Sequence, residues 1–420
     1  MKRIVKLLKK YSIFMLIVKF LKKVFYRVFA YFDKLDRKLM EKYNSKKQEK
    51  NTEKYKQIES LFKKSKYKYI FVFYPYTEWN LPIFQRPQQI ALSMTQERDD
   101  VLYFFCTANY VYDNVDIIQK LNENLYLCTD YDFLTKIKTK KRIIHLYSTD
   151  IVSDLSTVNK ALSNGDKILY EYIDEIHEDI TQSIPDNFLE KHNFLLQNEK
   201  CYVVATANKL LKDVQNIRHK NYILATNGVT LKDFTMPTKL PVPPEIKHLK
   251  KDYSKIVGYY GALAKWFDYE LLDKAAKAYP NYAFVLIGVE YDDSLKNSQL
   301  LNNSNVHFLG KIDYNMLIQY SSQMDLLTIP FLINEITEST SPVKLFEYMA
   351  TQKPILTTAM KECKKYKSVN IAKTHEDFIK KIPEVIAKGQ DPKYLDLLLK
   401  EASKNTWEQK SKDIIAMLSK

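Results

Sequence analysis

From residue 69 onward the chain alternates short, uninterrupted apolar runs with longer amphipathic stretches, an order that few folds accept. The first series comprises "YIFVFYP" (69–75), "VLYFFC" (101–106), "NLYLC" (124–128), "RIIHLYS" (142–148), "KILYEYI" (167–173), "YVVAT" (202–206) and "YILAT" (222–226). Helical patterns lie between several of them, near 86–97, 150–163, 186–197 and 207–217. A strand that is apolar on both faces has to be covered on both faces. The alternation therefore predicts a parallel sheet with helices on each side. A second series repeats the pattern: "KIVGYYG" (255–261), a helix over 268–279, "YAFVLIG" (282–288), "VHFLG" (306–310), a helix over 314–323, "LLTIP" (326–330), a short helix, and "PILTT" (354–358). Between the two series Pro237, Pro241, Pro243 and Pro244 fall within eight residues. Proline at that density resists helix and sheet, so 236–254 reads as a linker. A length of 420 residues suits two such domains.

The net charge of +15 suggests a nucleic-acid partner until it is located. Residues 1–66 hold 21 Lys+Arg and 6 Asp+Glu, which leaves 44 of each sign in 67–420. The body is neutral, and a general nucleic-acid surface is not expected. Cys106, Cys128, Cys201 and Cys363 form no CxxC pair, and the seven histidines show no HExxH spacing. Neither a zinc site nor a disulfide scaffold is expected, and a reducing cytoplasm fits.

The excess charge sits on "MKRIVKLLKKYSIFMLIVKFLKKVFYRVFAYF". There Leu7, Tyr11, Phe14, Val18, Leu21, Phe25, Val28 and Phe32 recur every three or four residues. The longest apolar run, 13–18, is far short of the roughly 20 residues a membrane span requires. Lysines stand where a signal peptide would be cleaved. Residues 1–32 are expected to lie on an anionic membrane surface; docking on the protein itself or on a partner helix is the alternative. Residues 33–66 read as a polar helical spacer.

Glycine points to the second domain. Four of seven, Gly258, Gly261, Gly288 and Gly310, end strands there, and wound sheets bind ligands beyond the carboxyl ends of strands. The segment "TSPVKLFEYMA" (340–350) offers a helix start with Ser341 as cap and Pro342 in the first turn. Free N–H groups at that end, Lys344, and the hydroxyls of Thr340 and Ser341 suit a diphosphate, and Glu347 one turn on suits the hydroxyls of a ribose. Taken alone, Lys344 and Glu347 read equally well as a surface ion pair. Gly261 is followed by "ALAKWFD", read as entering a helix, which would bring Lys265 to the phosphates.

Several stretches resemble a known family. "TNGVTLKDF" (226–234) resembles the NGVD…F signature of GT-B glycosyltransferases, and "SPVKLFEYMATQKPIL" resembles their donor-site segment. "VGYYGALAKWFDYELL" is similar to the opening of their second domain, and "NVHFLGKIDYNMLIQYSSQMDLLTIPF" to their V-x-F-x-G-x-V…L-x-x-Y…A-D-x-x-x-x-P run. "FQRPQQIA" (84–91) and "ILYEYIDE" (168–175) resemble bacterial cell-surface polysaccharide transferases of the teichuronic-acid or capsular type. The closing "NTWEQKSKDIIAML" is similar to the helix that crosses back to the first domain in that fold.

The resemblance covers about 67–420 and implies two Rossmann-like α/β domains facing across a cleft. The acceptor domain would be 67–235, the nucleotide-sugar donor domain 255–400, and the returning helix 401–420. Glu347 would bind the donor ribose, with Lys344 and Lys265 at the diphosphate and Gly261 giving close backbone approach. Arg86 and Gln88 would face the cleft from the other side, or merely open a helix with Pro87. Trp79 and Glu78 are candidates for acceptor sugar. If the sugar is transferred with inversion, Asp174, Glu175 and His177 are candidates for the base, while His145 reads as a core histidine. Position 339 is Ser, where the family's paired-glutamate motif has its first Glu. The expected activity is metal-independent hexosyl transfer to a lipid-linked glycan, without a cofactor, by a peripheral protein on the cytoplasmic face of the membrane. A nucleotide-sugar epimerase and a catalytically degenerate partner subunit are the alternatives.

Overall fold

The computed structural model of the protein describes residues 51–177, 184–235 and 240–420. The apolar stripe over 7–32 and part of the proline segment lie outside those residues. Two sheets form. The first contains β1 (Tyr69–Phe73), β2 (Val101–Cys106), β3 (Ile118–Lys120), β4 (Leu125–Cys128), β5 (Arg142–Tyr147), β6 (Lys167–Tyr172), β7 (Cys201–Ala205) and β8 (Tyr222–Leu224). Its order is β3-β4-β2-β1-β5-β6-β7-β8, parallel apart from the β3–β4 pair. The second contains β9 (Lys255–Tyr260), β10 (Tyr282–Ile287), β11 (Val306–Phe308), β12 (Leu326–Ile329), β13 (Ile355–Thr358) and β14 (Asn370–Ala372), in the parallel order β11-β10-β9-β12-β13-β14.

β2 is buried at every position, and so is β5. Their apolar runs are continuous because helices cover both faces. In each sheet the winding reverses direction beside the first strand: β1 lies between β2 and β5, and β9 between β10 and β12. Such switch points leave crevices at the carboxyl ends of the strands.

Four helices build the site and its supports. They are α1 (Thr52–Lys63), α2 (Arg86–Gln96), α3 (Val343–Ala350) and α4 (Trp407–Leu418). Helix α1 corrects the expectation of a polar spacer running to residue 66. Tyr55, Ile58, Leu61 and Phe62 form a buried stripe on the first sheet, with Phe62 stacked on Phe104. Helix α4 comes at the end of the chain yet buries Trp407, Ile414, Ile415 and Leu418 in the core of the first domain. The proline segment also departs from expectation. Pro244–Asp252 is a helix, with Pro244 in its first turn, where a missing N–H costs nothing.

Candidate active site

A cleft of about 630 Å³ opens between the carboxyl ends of the two sheets. The second domain contributes Gly261, Gly288, Tyr314, Thr340, Ser341, Lys344 and Glu347, and the first contributes Thr77, Arg86, Gln88, Thr149 and Asp174.

The floor of the second domain is set by two glycines. Gly288 has φ +145°, and a Cβ there would lie 1.9 Å from the Gly261 carbonyl oxygen. Gly261 has φ +141°, and a Cβ there would lie 2.6 Å from Cε and 2.8 Å from Nζ of Lys344. The ends of β9 and β10 therefore touch, and the Lys344 side chain crosses directly over Gly261. Its ammonium lies 5.0 Å from the ring centre of Tyr259 and 4.8 Å from that of Phe331, positions favourable to a cation.

Lys344 and Glu347 make no ion pair among the described residues. Burial pushes the Lys344 ammonium down to about 8, with Glu347 opposing that shift. Burial pushes the Glu347 carboxyl up to about 7, against the pull of Tyr260 and Lys344. The buried Tyr260 hydroxyl stands beside the Glu347 carboxyl and is the larger of those two opposing effects. A carboxylate, an ammonium and a phenol thus face one cavity with spare bonding capacity. Helix α3 adds to this. Its N-cap is Pro342, which has no side-chain oxygen to offer the first turn. The Val343 and Lys344 N–H groups have no partner among the described residues, so the positive end of the helix opens on the cleft.

Ser341 was expected to cap α3. Instead its carbonyl accepts from Asn227 Nδ2 at 2.6 Å, and its hydroxyl faces the Asn227 N–H at 3.4 Å, fastening the start of the helix to the first domain. The Thr340 hydroxyl donates to the Ile336 carbonyl. Lys265 does not reach the phosphate end. The chain after Gly261 runs as a loop until the Tyr269–Ala278 helix, whose cap is Asp268, and Lys265 is exposed away from the cleft lining. The apolar residues that suggested a helix there instead anchor the loop, through bridges from Leu263 to Glu290 and Phe267 to Phe331.

On the opposite wall Arg86 is buried in an ion pair with Glu171 and donates to Thr226 O and Asn227 Oδ1. Burial alone would raise the Glu171 carboxyl, but Arg86 and His145 outweigh it and hold it near about 2. His145 also meets the Tyr103 hydroxyl at 2.7 Å and is a bonded core histidine. Gln88 lines the cleft, but its amide is engaged, donating to Glu78 O and Trp79 O and accepting from Gln85 N.

The acceptor-sugar assignment of Glu78 and Trp79 is not sustained. Both are buried outside the cleft: Glu78 accepts three backbone N–H groups from Val111–Asp113, and Trp79 packs against Phe84 and Phe105. Of the three base candidates only Asp174 lines the cleft. Burial pushes its carboxyl up to about 7, with Arg86 opposing, and it has no hydrogen-bond donor among the described residues. Glu175 is engaged by Lys209 and by Ser339, whose hydroxyl donates to it across the domains at 2.6 Å. His177 lies outside the lining. Sequence reasoning missed Tyr260, which resembles any other strand tyrosine, and the Arg86–Glu171 pair, whose members stand 85 residues apart.

The two wound sheets, the cleft between them and the returning α4 together are a GT-B fold. Residues 245–409 match the model of the family described as "Glycosyl transferases group 1". The second domain is a group 1 glycosyl transferase domain. The chain is also similar to a protein of Bacillus subtilis (strain 168) named as a putative teichuronic acid biosynthesis glycosyltransferase, TuaH. Identity is 23% over 158 residues, covering 36% of this chain and 40% of that protein, so the match spans about two fifths of the relative's length. Among solved structures, sucrose-phosphate synthase from Thermosynechococcus elongatus superposes with a TM-score of 0.62 at 14% identity. The match covers 83% of this chain and 98% of that one. Anabaena HepE, in complex with UDP and glucose, gives a TM-score of 0.56 at 12% identity, covering 84% and 100%. These structures share the fold. The matched family segment contains Gly261, Lys344 and Glu347 and ends inside α4.

Proposed function

We propose that the protein is a glycosyltransferase that moves a sugar from a nucleoside-diphosphate sugar to a hydroxyl of a lipid-linked glycan in cell-surface polysaccharide synthesis. The observation that carries this is the pair of opposite charges that line the cleft at the start of α3 with no ion pair between them among the described residues, half-buried Lys344 over Gly261 and buried Glu347 one turn on. Such a pair is costly when empty and becomes favourable when a polyanion with a diol fills it. HepE, similar in fold, has been solved with UDP and glucose, and TuaH is named for polysaccharide synthesis.

In this reading the α3 N–H groups and the Lys344 ammonium receive the diphosphate. The same groups stabilise the charge that grows on it as the glycosidic bond breaks, without need of a metal. Glu347 accepts from the ribose hydroxyls. Asp174, on the facing wall, takes the proton of the acceptor hydroxyl. A carboxyl with a pKa of about 7 is matched to that task near neutral pH. Arg86 holds the wall in place through Asn227 and Ser341. No helix among the described residues is long and apolar enough to cross a membrane. The basic segment 1–32 would hold the protein peripherally on the cytoplasmic face, against anionic lipid.

The test is release of nucleotide from a panel of UDP-, GDP-, CMP- and dTDP-sugars, comparing wild type with Glu347→Ala and Asp174→Asn. One donor should be turned over by wild type. Glu347→Ala should raise KM and lower kcat/KM by roughly ten- to a hundredfold, the loss of a charged hydrogen bond. Asp174→Asn should lower kcat by roughly 10²–10⁴ while leaving donor affinity intact. Equal turnover by wild type and Glu347→Ala removes the donor-site assignment. Failure of wild type to bind any donor favours the partner-subunit alternative.

A further inference from the structure

The residues on either side of Asp174 are pinned, while its own carboxyl is not. Backbone pairing of β6 stops at Tyr172, opposite Ala205. One residue on, Ile173 keeps the bonds of a strand through two buried hydroxyls. Its N–H donates to Ser148 Oγ at 3.0 Å, and its carbonyl accepts from Thr206 Oγ1 at 2.7 Å. Ser148 and Thr206 directly follow β5 and β7, so side chains carry the sheet one residue past its backbone pairing. Asp174 comes next and lines the cleft. Glu175 is fixed again, and by both domains. Lys209, at the start of the Asn208–Ile217 helix, pairs with its Oε2, and Ser339 of the second domain donates to the same oxygen at 2.6 Å. Beside Lys209, the Asn208 N–H donates to the Glu362 carboxylate of the second domain at 2.9 Å. The chain just past β6 and the chain just past β7 are thus both tied to the opposite domain.

The bond at Ser339 has a particular chemistry and a particular place. Ser339 is fully buried, and its hydroxyl has one further neighbour, the Glu335 carbonyl at 3.4 Å. A hydroxyl that donates to a carboxylate makes a charge-assisted bond, stronger than one between neutral groups. Ser339 stands just ahead of Ser341, whose contacts with Asn227 fasten the start of α3. The Glu175 bond therefore sets the facing wall against the same helix start that carries Lys344 and Glu347. The side chain at 339 also has to be a donor. A glutamate there, as in the paired-glutamate motif that this segment resembles, would bring two carboxylates within bonding distance. One of them would then have to take up a proton or turn away. Serine at 339 and glutamate at 175 suit each other.

We infer that Ser339, Glu175 and Lys209 form a clasp between the domains that fixes the reach of Asp174 toward the donor end of α3, bringing base and leaving group into register. All three are positioning residues: none lines the cleft, and they act through Asp174. Placement of this kind matters because a displacement of about 1 Å in a reacting group can cost about 10²-fold in rate. The inference rests on the reading of Asp174 as the base, and the experiment separates the two.

Nucleotide release is measured with the UDP-, GDP-, CMP- or dTDP-sugar that wild type turns over, and affinity by titration of the matching free nucleotide. The variants are Ser339→Ala, Glu175→Gln and their combination, each also placed in Asp174→Asn. Ser339→Ala and Glu175→Gln should each lower kcat roughly ten- to a hundredfold, with nucleotide affinity within about twofold of wild type. The combination should lose no more than the worse single variant, and neither change should lower kcat further in Asp174→Asn. Ser339→Glu should also fall, and should recover part of its rate when joined to Glu175→Gln, a rescue that a packing defect would not show. Where Ser339→Ala does not fold, Glu175→Gln and Lys209→Met make the same comparison on side chains that are partly exposed. Wild-type kcat in the single variants, additive losses, or a further loss in Asp174→Asn overturns the clasp and leaves the base in place. Asp174→Asn at the wild-type rate, or a folded wild type that releases nucleotide from no donor, overturns the base reading and the clasp with it.

Discussion

At the scale of single residues, the site is a set of groups held away from their preferred charge states. Glu347, at about 7, binds its proton more tightly in the folded chain than in the unfolded one. Its contribution to stability is complete below the ordinary carboxyl range and is lost as pH rises through about 7. Thermal melts of ligand-free Glu347→Gln should therefore match wild type near pH 5 and lie above it at pH 8. A constant offset would show that the carboxylate is not strained in the empty site. Gly261 is the second test. Alanine there meets the Lys344 stem and an unfavourable backbone, so Gly261→Ala should lose about 1–3 kcal/mol of stability and weaken nucleotide binding together. Chemical denaturation and nucleotide titration check the two parts. The sequence made Lys344 and Glu347 legible because helix spacing alone aligns them. It could not show that the side chain at Gly261's back would be Lys344, or that Glu78 serves a loop 33 residues away.

At the scale of elements, strands were read well and connections poorly. A continuous apolar run has few fates in a chain this long, so β1, β2 and β5 appear where the pattern put them. Three-residue β3, with Gln119 and Lys120 exposed, carries no such signal. The "ALAKWFD" stretch misled because an apolar loop that docks by bridges has the composition of a helix. Helix α1 was hidden by its charge, since lysines on its outer face mask a four-residue stripe. Helix α4 ties the domains together. Trp407 is fully buried in the first domain with the Arg86 guanidinium 5.6 Å over its ring, although it follows the second domain in sequence. Trp407→Ala should lose about 3–5 kcal/mol, measured by denaturant unfolding. It should also loosen Arg86, which lines the cleft. A surface-like cost under about 0.5 kcal/mol would contradict the packing.

At the scale of the whole molecule, charge and chemistry are segregated. The body from residue 67 is neutral, and the excess of +15 lies before it. Attachment to anionic membrane should then respond to salt, while the reaction in the cleft should not. Deleting residues 1–32 should move the protein from the membrane to the soluble fraction with donor turnover retained; unchanged fractionation would contradict the arm's assignment. The central claim is narrower: the cleft receives a nucleoside diphosphate through Lys344, the α3 N–H groups and Glu347. Isothermal titration calorimetry of UDP, GDP, ADP and dTDP against wild type, Lys344→Met and Glu347→Ala tests it most directly. The account predicts saturable binding of at least one nucleotide to wild type, weakened roughly ten- to a hundredfold by each substitution. Binding that both variants leave unchanged, or no binding to a folded wild type, would contradict it.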